Sequence, residues 1–538
     1  MLTLVDQILE SHRRWVLTLC VVLVALTHAC DLYHLAGYDT DEVVYIALAR
    51  SLLAGRGYTL VEAHGVPAQA VLVPAFGRPP GYASVVAAVL GVTHEIWWST
   101  YAIDLLFAVV FLLAMVSLVR RTFGDGAAIL TGATWAVLYS PVSHLASSDL
   151  AALALFVAGL LLGSRDVSRA SPQQDRAGLF SGLLAGAACA VRYAYWPLIV
   201  VVPVATLVAR RDRWAVRCAG RHLTVAVLSV CSTAVFMRWV TSEVEYVTRW
   251  YPTRQYAWYW DHFLAFFPFP AQVLRLELLQ ARLVATVPTL MFPSRLALWG
   301  VSAGLVLVLY RSLRPKAIAT WHGTLPASEM FFHAAAAVTV VTTLGMLIVL
   351  TGMLPIVSGF IVGSESRYFA PIAAMTSVWF VLAAVRSYGS HPWVRRAVVA
   401  ILIGTAAITV PYRLGRIERY WVKNYRTAWL SSLRRADASA YETAVANEGV
   451  GAVRPLLVDA DPIWGFGVGL ISGGASVRAE DLPACGPPAR VVVAVPHATD
   501  ATGTDTAGAV ILATHARPVA TLSDRTLYAG SIRPCGAP

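Results

Sequence analysis

The chain has 538 residues, of which 57% are hydrophobic and only 14% charged, and its mean hydropathy is +0.62. These values exclude a soluble globular protein and indicate a polytopic membrane protein. The net charge of +11 does not point to a nucleic-acid partner, because the basic residues cluster between apolar runs, where membrane topology accounts for them. The sequence holds no repeat of fixed period and no Walker-type phosphate loop, so no motif supports an ATP-driven machine.

Arg13 and Arg14 precede the first apolar run, from about Trp15 to Tyr33, which lacks an A-x-A-like cleavage site and reads as an uncleaved first helix. The most informative stretch follows, from Gly37 to Tyr82. Asp39 suits an N-cap with Glu42 at N3, Val43 to Leu53 supply apolar positions, and Gly55 and Gly57 stop the run. With Tyr45 and Arg50 among its polar or amphipathic positions and Val44, Leu48 and Leu52 on one face, this is expected to be an amphipathic helix lying along the membrane surface. A second such helix is expected from Pro79, since consecutive prolines fit a first turn, and Arg78 is delivered beside its N-terminus.

Further apolar runs centre near Phe107, Ala133, Phe156, Ala187, Val201, Val230, Leu305, Val341, Ser377 and Ile403. At about 20 residues per crossing, the fold expected is a mainly α bundle of about eleven transmembrane helices. The stretch around Ala187 and Val201 is split at Arg192 and Pro197. Basic pairs such as Arg120 and Arg121, Arg210 and Arg211, and Arg395 and Arg396 fall on the side of the N-terminus, which marks that side as cytoplasmic. The long loops 36–98 and 241–294, and the chain beyond about Tyr412, then lie outside. A cluster from Arg413 to Arg426 runs against this rule, from which long translocated domains are partly exempt.

Residues 1–412 are thus expected to form a transmembrane catalytic domain and 413–538 a small extracytoplasmic α/β domain. The tail carries apolar runs at Pro455 to Val458, Val491 to Val495, Val510 to Ala513 and Leu527 to Ala529, with a helix-like segment near Trp429 to Asn447. Of the seven cysteines, Cys20, Cys189 and Cys231 fall in spans, Cys30 near a span end and Cys218 in a cytoplasmic loop. Cys485 and Cys535 lie in the tail, where an oxidising compartment would let them pair.

Each candidate functional residue also has a structural reading. A capping box accounts for Asp39 and Glu42, whereas Asp41 is not needed for it and is the better candidate for chemistry. Arg78 is either an interfacial anchor or the ligand of one lipid phosphate. Asp149, at the start of the fourth span, is an N-cap or a functional acid at membrane depth. Arg192, inside an apolar run, requires a carboxylate, a carbonyl or a water-filled cavity, and a structural ion pair suits it best. Arg367 in SESRYFAP and Arg254 in the aromatic-rich segment Arg249 to Phe269 are further outer-face cations. His262 has no second histidine at ligand spacing, which argues against zinc there.

The pair Asp41-Glu42 followed by Tyr45 and Ala49, then Arg78-Pro79-Pro80-Gly81-Tyr82, resembles the GT-C glycosyltransferases. Within that superfamily it is similar to the branch of protein O-mannosyltransferases, lipid A aminoarabinose transferases and lipopolysaccharide-core glycosyltransferases. The resemblance covers the layout of about residues 10 to 412, with specific motifs only in the first loop, at Asp149, and at Arg367-Tyr368 with Pro371. It implies a polyprenyl-phosphate sugar as donor, a glycan, lipid or protein acceptor, and an active site on the outer face of a bacterial cytoplasmic membrane. It further implies Asp41 as base, Glu42 at the acceptor and Asp149 as a catalytic acid. Arg78, with Arg367 and Arg254, would bind the donor phosphate, and Asp39, Tyr45, Tyr82 and Tyr368 would line the substrate loop. Some relatives bind a divalent metal, for which Asp41 and Asp149 are the possible ligands. The mechanism implied is a single inverting displacement without ATP. A transporter or flippase would instead show inverted repeats and midplane charges, and an outer-surface assembly protein would work through its tail.

Overall fold

The computed structural model describes residues 40–64, 69–75, 78–94, 96–138, 148–168, 175–241, 286–353, 370–385, 391–423, 456–459, 475–478, 489–496, 514–521 and 525–532, with a few isolated positions besides. The first loop gives helix α1 (Thr40–Leu53), strands β1 (Thr59–His64) and β2 (Gln69–Pro74), and α2 (Pro80–Thr93). The bundle continues with α3 (Ile96–Phe123), α4 (Asp125–Leu138), α5 (Ser148–Ser168), α6 (Asp175–Val191), a 3-10 helix (Tyr193–Val200), α7 (Val201–Ala209) and α8 (Arg213–Thr241). Then come α9 (Met291–Trp321), α10 (Ala327–Met353), α11 (Ala370–Ala384) and α12 (Pro392–Lys423).

Among the described residues, five helices are long and apolar enough to cross a membrane: Trp98–Phe123, Ser148–Arg165, Arg213–Val240, Leu296–Trp321 and Ala327–Met346. Shorter apolar helices include Gly178–Val191, Tyr193–Ala209 and Ala370–Ala384. The chain is a multi-pass membrane protein, and a helix stands near each of the centres expected from Phe107 to Ile403, of which those at Phe107, Phe156, Val230, Leu305 and Val341 hold the five membrane-long apolar stretches. Helix α11 is buried except at Ala370 and Trp379, which are half-buried, and Trp135 of α4 reaches it with an indole N–H donated to Ser377 at 3.1 Å. Helices α5 and α6 pack on each other, and α6 on α8.

Several local expectations change. α1 is buried through Val43 and from Tyr45 to Ala49, while Val44 and Leu52 are only half-buried, so its apolar side is not the one a surface helix would immerse. Two strands between α1 and α2 form an antiparallel hairpin with Thr59 opposite Pro74 and His64 opposite Gln69, which the apolar pattern did not announce. Cys218, expected in a loop, is buried in α8, because that helix begins at Arg213 and carries the basic cluster in its first turns. α12 runs unbroken through residue 412, so the division expected there falls within a helix.

The tail contains a five-stranded sheet in the order β4-β3-β5-β7-β6. Its strands are β3 (Leu456–Asp459), β4 (Ala475–Arg478), β5 (Ala489–Pro496), β6 (Arg517–Thr521) and β7 (Arg525–Ile532). β3 pairs in parallel with both β4 and β5, and β7 pairs antiparallel with β5 and β6. The apolar runs at 455–458, 491–495 and 527–529 coincide with β3, β5 and β7, while 510–513, Cys485 and Cys535 lie outside the described residues. β1 and β2 pack against β4, which joins the first loop to the tail.

Candidate functional site

The described part of the site starts from a break in an apolar run. α6 ends at Val191, Arg192 is extended at φ −148° and ψ 121°, and a 3-10 helix containing Pro197 follows. Proline lacks the N–H that an α-helical ladder needs and its ring clashes with the preceding turn, so the chain changes pitch here. The break turns the Arg192 side chain to the N-terminus of α5. Its Nε lies 2.9 Å from the Asp149 carboxylate, and its Nη1 donates to the Ser148 hydroxyl at 3.1 Å. Both side chains are about nine-tenths buried, with 9% of each exposed. Such a pair is retained only when geometry offsets the loss of hydration, and Asp149 gains further from the N-terminal dipole of α5. Tyr195, fully buried and edge-on to Phe156 at 6.0 Å, stands within electrostatic reach of both charges. Its hydroxyl has no hydrogen-bond partner among the described residues.

The second half is the turn Arg78-Pro79-Pro80-Gly81-Tyr82. Pro79 is the N-cap at φ −70° and ψ 151°, and Pro80 opens α2 as expected for a residue with no N–H to satisfy. Gly81 is required by close approach: a Cβ there would stand 2.7 Å from the Ala190 carbonyl oxygen and 3.0 Å from the Val191 nitrogen. The turn is therefore docked on the end of α6, beside Val191, the residue that precedes Arg192. Tyr193 is within electrostatic reach of both Arg78 and Tyr45.

Three tyrosines fix this turn. Tyr82 is buried, donates to the Asp104 carboxylate at 2.7 Å, and meets Tyr45 edge-on at 5.2 Å. Tyr58 donates to the carbonyl oxygens of Arg78 and Pro79, each at 3.0 Å. Burial pushes the Tyr58 phenol well above its ordinary pKa, with Tyr45 and Tyr193 adding to the effect and Arg78 opposing it, so the hydroxyl remains a donor. Gly57, at φ +74°, is the left-handed residue that turns the chain back to place Tyr58 there.

Of the candidates, Arg78, Tyr45, Tyr82 and Asp149 are brought to one region, and Arg192 joins them as the partner of Asp149. Asp41 and Glu42 fall in the first turn of α1, one turn before Tyr45, but their side chains are outside the described set. Asp39, Arg254, Arg367 and Tyr368 also lie outside the described residues. The ion pair predicted for Arg192 is present. Asp104, Tyr58 and Tyr195 are contributions that the sequence reading did not single out. For Asp104 the signal was available, since it is an ionisable residue about two turns into an apolar span.

Asp149 and Asp41 were the possible metal ligands. The Asp149 carboxylate is paired with the Arg192 guanidinium, and no group of three or more His, Cys, Asp or Glu converges among the described residues. Asp149, with its carboxylate already paired and no second acid beside it among the described residues, does not fit a divalent ion.

A family described as dolichyl-phosphate-mannose-protein mannosyltransferase matches residues 77–239, which begin one residue before Arg78 and contain both Asp149 and Arg192. No curated protein matches the chain. Among solved structures, that of ArnT from Cupriavidus metallidurans in the apo state is similar at 16% identity over 96% of this chain and 98% of that one, with a TM-score of 0.50. A second structure of that protein, bound to undecaprenyl phosphate, aligns with a TM-score of 0.47 at 16% identity over 95% and 97% of the two chains. The oligosaccharyltransferase AglB from Archaeoglobus fulgidus, in complex with an inhibitory peptide and a dolichol-phosphate, aligns at 12% identity over 88% of this chain and 66% of that one, with a TM-score of 0.47.

Proposed function

We propose that this chain, whose fold is that of the GT-C glycosyltransferases, is a membrane enzyme that moves a sugar from a polyprenyl-phosphate donor to an acceptor hydroxyl. The observation that carries the reading is the docking of the Arg78 turn on the end of α6 beside the Asp149–Arg192 pair, within the segment that matches the mannosyltransferase family. It sets cations and acid together at the ends of the spanning helices, where a lipid phosphate and its sugar would lie.

In the reaction, the acceptor oxygen attacks C1 of the sugar while Asp41 takes its proton. The C1–O bond to acceptor forms as the C1–O bond to phosphate breaks, and the leaving polyprenyl phosphate carries the electron pair away. Arg78 stabilises the charge that develops on that phosphate, with Arg367 and Arg254 as its partners, and Glu42 holds the acceptor. Asp149 serves by holding Arg192 and the break in the helix, and Tyr45 and Tyr82 form the wall between the acids and Arg78. In this reading the active site and the tail face the outside of a cytoplasmic membrane, which most of the basic clusters support, and the tail beyond α12 admits or orients a glycan, lipid or protein acceptor. A transporter or flippase is not favoured. Purified protein incubated with a polyprenyl-phosphate sugar and a mixed envelope extract should release polyprenyl phosphate. Release no faster than in buffer, across several donor sugars, would remove the assignment.

A further inference from the structure

We infer that Tyr58 is the positioning residue of Arg78, so that its phenol hydroxyl sets affinity for the donor phosphate without touching the donor; this rests on the reading of Arg78 as phosphate ligand. Pro79 and Pro80 remove two successive N–H donors from the turn that carries Arg78. The Arg78 carbonyl precedes α2 and lies outside its hydrogen-bond ladder. The Tyr58 hydroxyl, shared between that carbonyl and the Pro79 carbonyl at 3.0 Å each, supplies the donor that the turn lacks.

Tyr58 is itself held firmly. Its ring is 3% exposed and edge-on to Phe236 of α8 at 5.9 Å. Its own carbonyl accepts from the Ala75 N–H at 3.0 Å, which closes the base of the β1–β2 hairpin. The turn is therefore pinned from two sides: Gly81 sits against the α6 backbone, and Tyr58 grips the residue that bears the guanidinium. Gly81 fixes where α2 starts, and Tyr58 fixes where Arg78 stands relative to it. An arginine that must meet a phosphate with a planar fork loses affinity when its Cα wanders, since ordering it then falls to the ligand.

The test is a double-mutant cycle of Tyr58→Phe and Arg78→Ala, read as binding of undecaprenyl phosphate to the purified full chain in detergent. Tyr58→Phe removes one oxygen and leaves the ring packed, and in the wild-type background it should weaken binding about 3- to 10-fold, the range of one net hydrogen bond. With a sugar-bearing donor the same change should lower kcat/KM by at least the factor seen in binding, because Arg78 also meets the charge that develops on the leaving phosphate. In the Arg78→Ala background the effect of Tyr58→Phe should vanish, because the group it positions is gone. An equal loss in both backgrounds, or none in the wild type, overturns the inference while leaving Arg78 as a ligand. Arg78→Ala binding as well as wild type overturns the Arg78 reading itself, and the inference with it. If Tyr58→Phe does not yield folded protein, Phe236→Leu loosens the same ring with the hydroxyl intact. It should show the same dependence on Arg78, and independence from Arg78 counts against the inference.

Discussion

Replacing Arg192 by methionine keeps most of the side-chain volume but leaves the Asp149 carboxylate, 9% exposed, without its cation. Breaking a buried pair from one side costs about 3–5 kcal/mol, because an uncompensated charge stays behind. The Ser148 hydroxyl also loses its contact with Nη1, but it lies at a helix start and adds little to that figure. Removing both charges with Asp149→Leu and Arg192→Met should restore stability to within about 1 kcal/mol of wild type, the shortfall reflecting the lost interaction of Asp149 with the α5 dipole. Denaturant unfolding in detergent micelles measures all four species of the cycle. Transfer activity of the double variant then separates two roles: recovered turnover makes the pair structural, and recovered stability without turnover makes Asp149 or Arg192 part of the chemistry. A single variant less than about 1 kcal/mol below wild type, or a double variant no more stable than the single, would refute the assignment of a tight buried pair.

Asp41→Asn should lower turnover about 10²- to 10⁴-fold with donor binding retained, while Asp39→Asn stays near wild type; comparable losses in both would move the base elsewhere. Gly81→Ala puts a Cβ 2.7 Å from the Ala190 oxygen, so α2 must lift off α6. That should cost about 1–3 kcal/mol in unfolding and weaken donor binding, and an unaltered melt would show that the contact yields freely. Tyr82→Phe leaves Asp104 short of a hydrogen bond in the span, for about 1–3 kcal/mol, and a neutral result would mean that other partners satisfy Asp104. With every other cysteine replaced, Cys485 and Cys535 should take up an impermeant thiol reagent on spheroplasts only after reduction. Labelling without reductant rules out the disulfide, and labelling only after permeabilisation puts the tail in the cytoplasm.

The bundle was legible because a membrane span is the strongest pattern a sequence can carry: a run of apolar residues with nothing inside it to pair. The split at Arg192 was legible for the same reason in reverse, since an arginine and a proline in such a run demand a break and a partner. That Asp149 is this partner was not, because the two stand far apart in the chain, at positions 149 and 192, and only the fold brings them together. The burial of α1 escaped for a related reason. Its residues offer apolar side chains on nearly every face, so a helix laid on a membrane and one enclosed by protein read alike. The hairpin was hidden by its length, six residues on each strand, with valines and alanines that also suit helices. Tyr58 could not be foreseen, because its role depends on a backbone carbonyl twenty positions away.

The burial of α1 changes what its acids can do. Fourteen residues of helix span about 21 Å, so a surface helix would carry Asp41 and Glu42 on an element free to tilt with the lipid. Instead, Tyr45 meets Tyr82 one turn after those acids, and Tyr82 is tied through Asp104 to the long span α3. At the other end, positive φ at Gly55 and Gly57 turns the chain back, so that Tyr58 comes within electrostatic reach of Tyr45 while gripping the Arg78 carbonyl. Both ends of α1 thus bear on the same five-residue turn, and the α1 backbone cannot shift relative to that turn without breaking a buried contact. For a displacement that needs a base on one side of C1 and a cation on the other, such fixed spacing reduces the ordering left to the substrate.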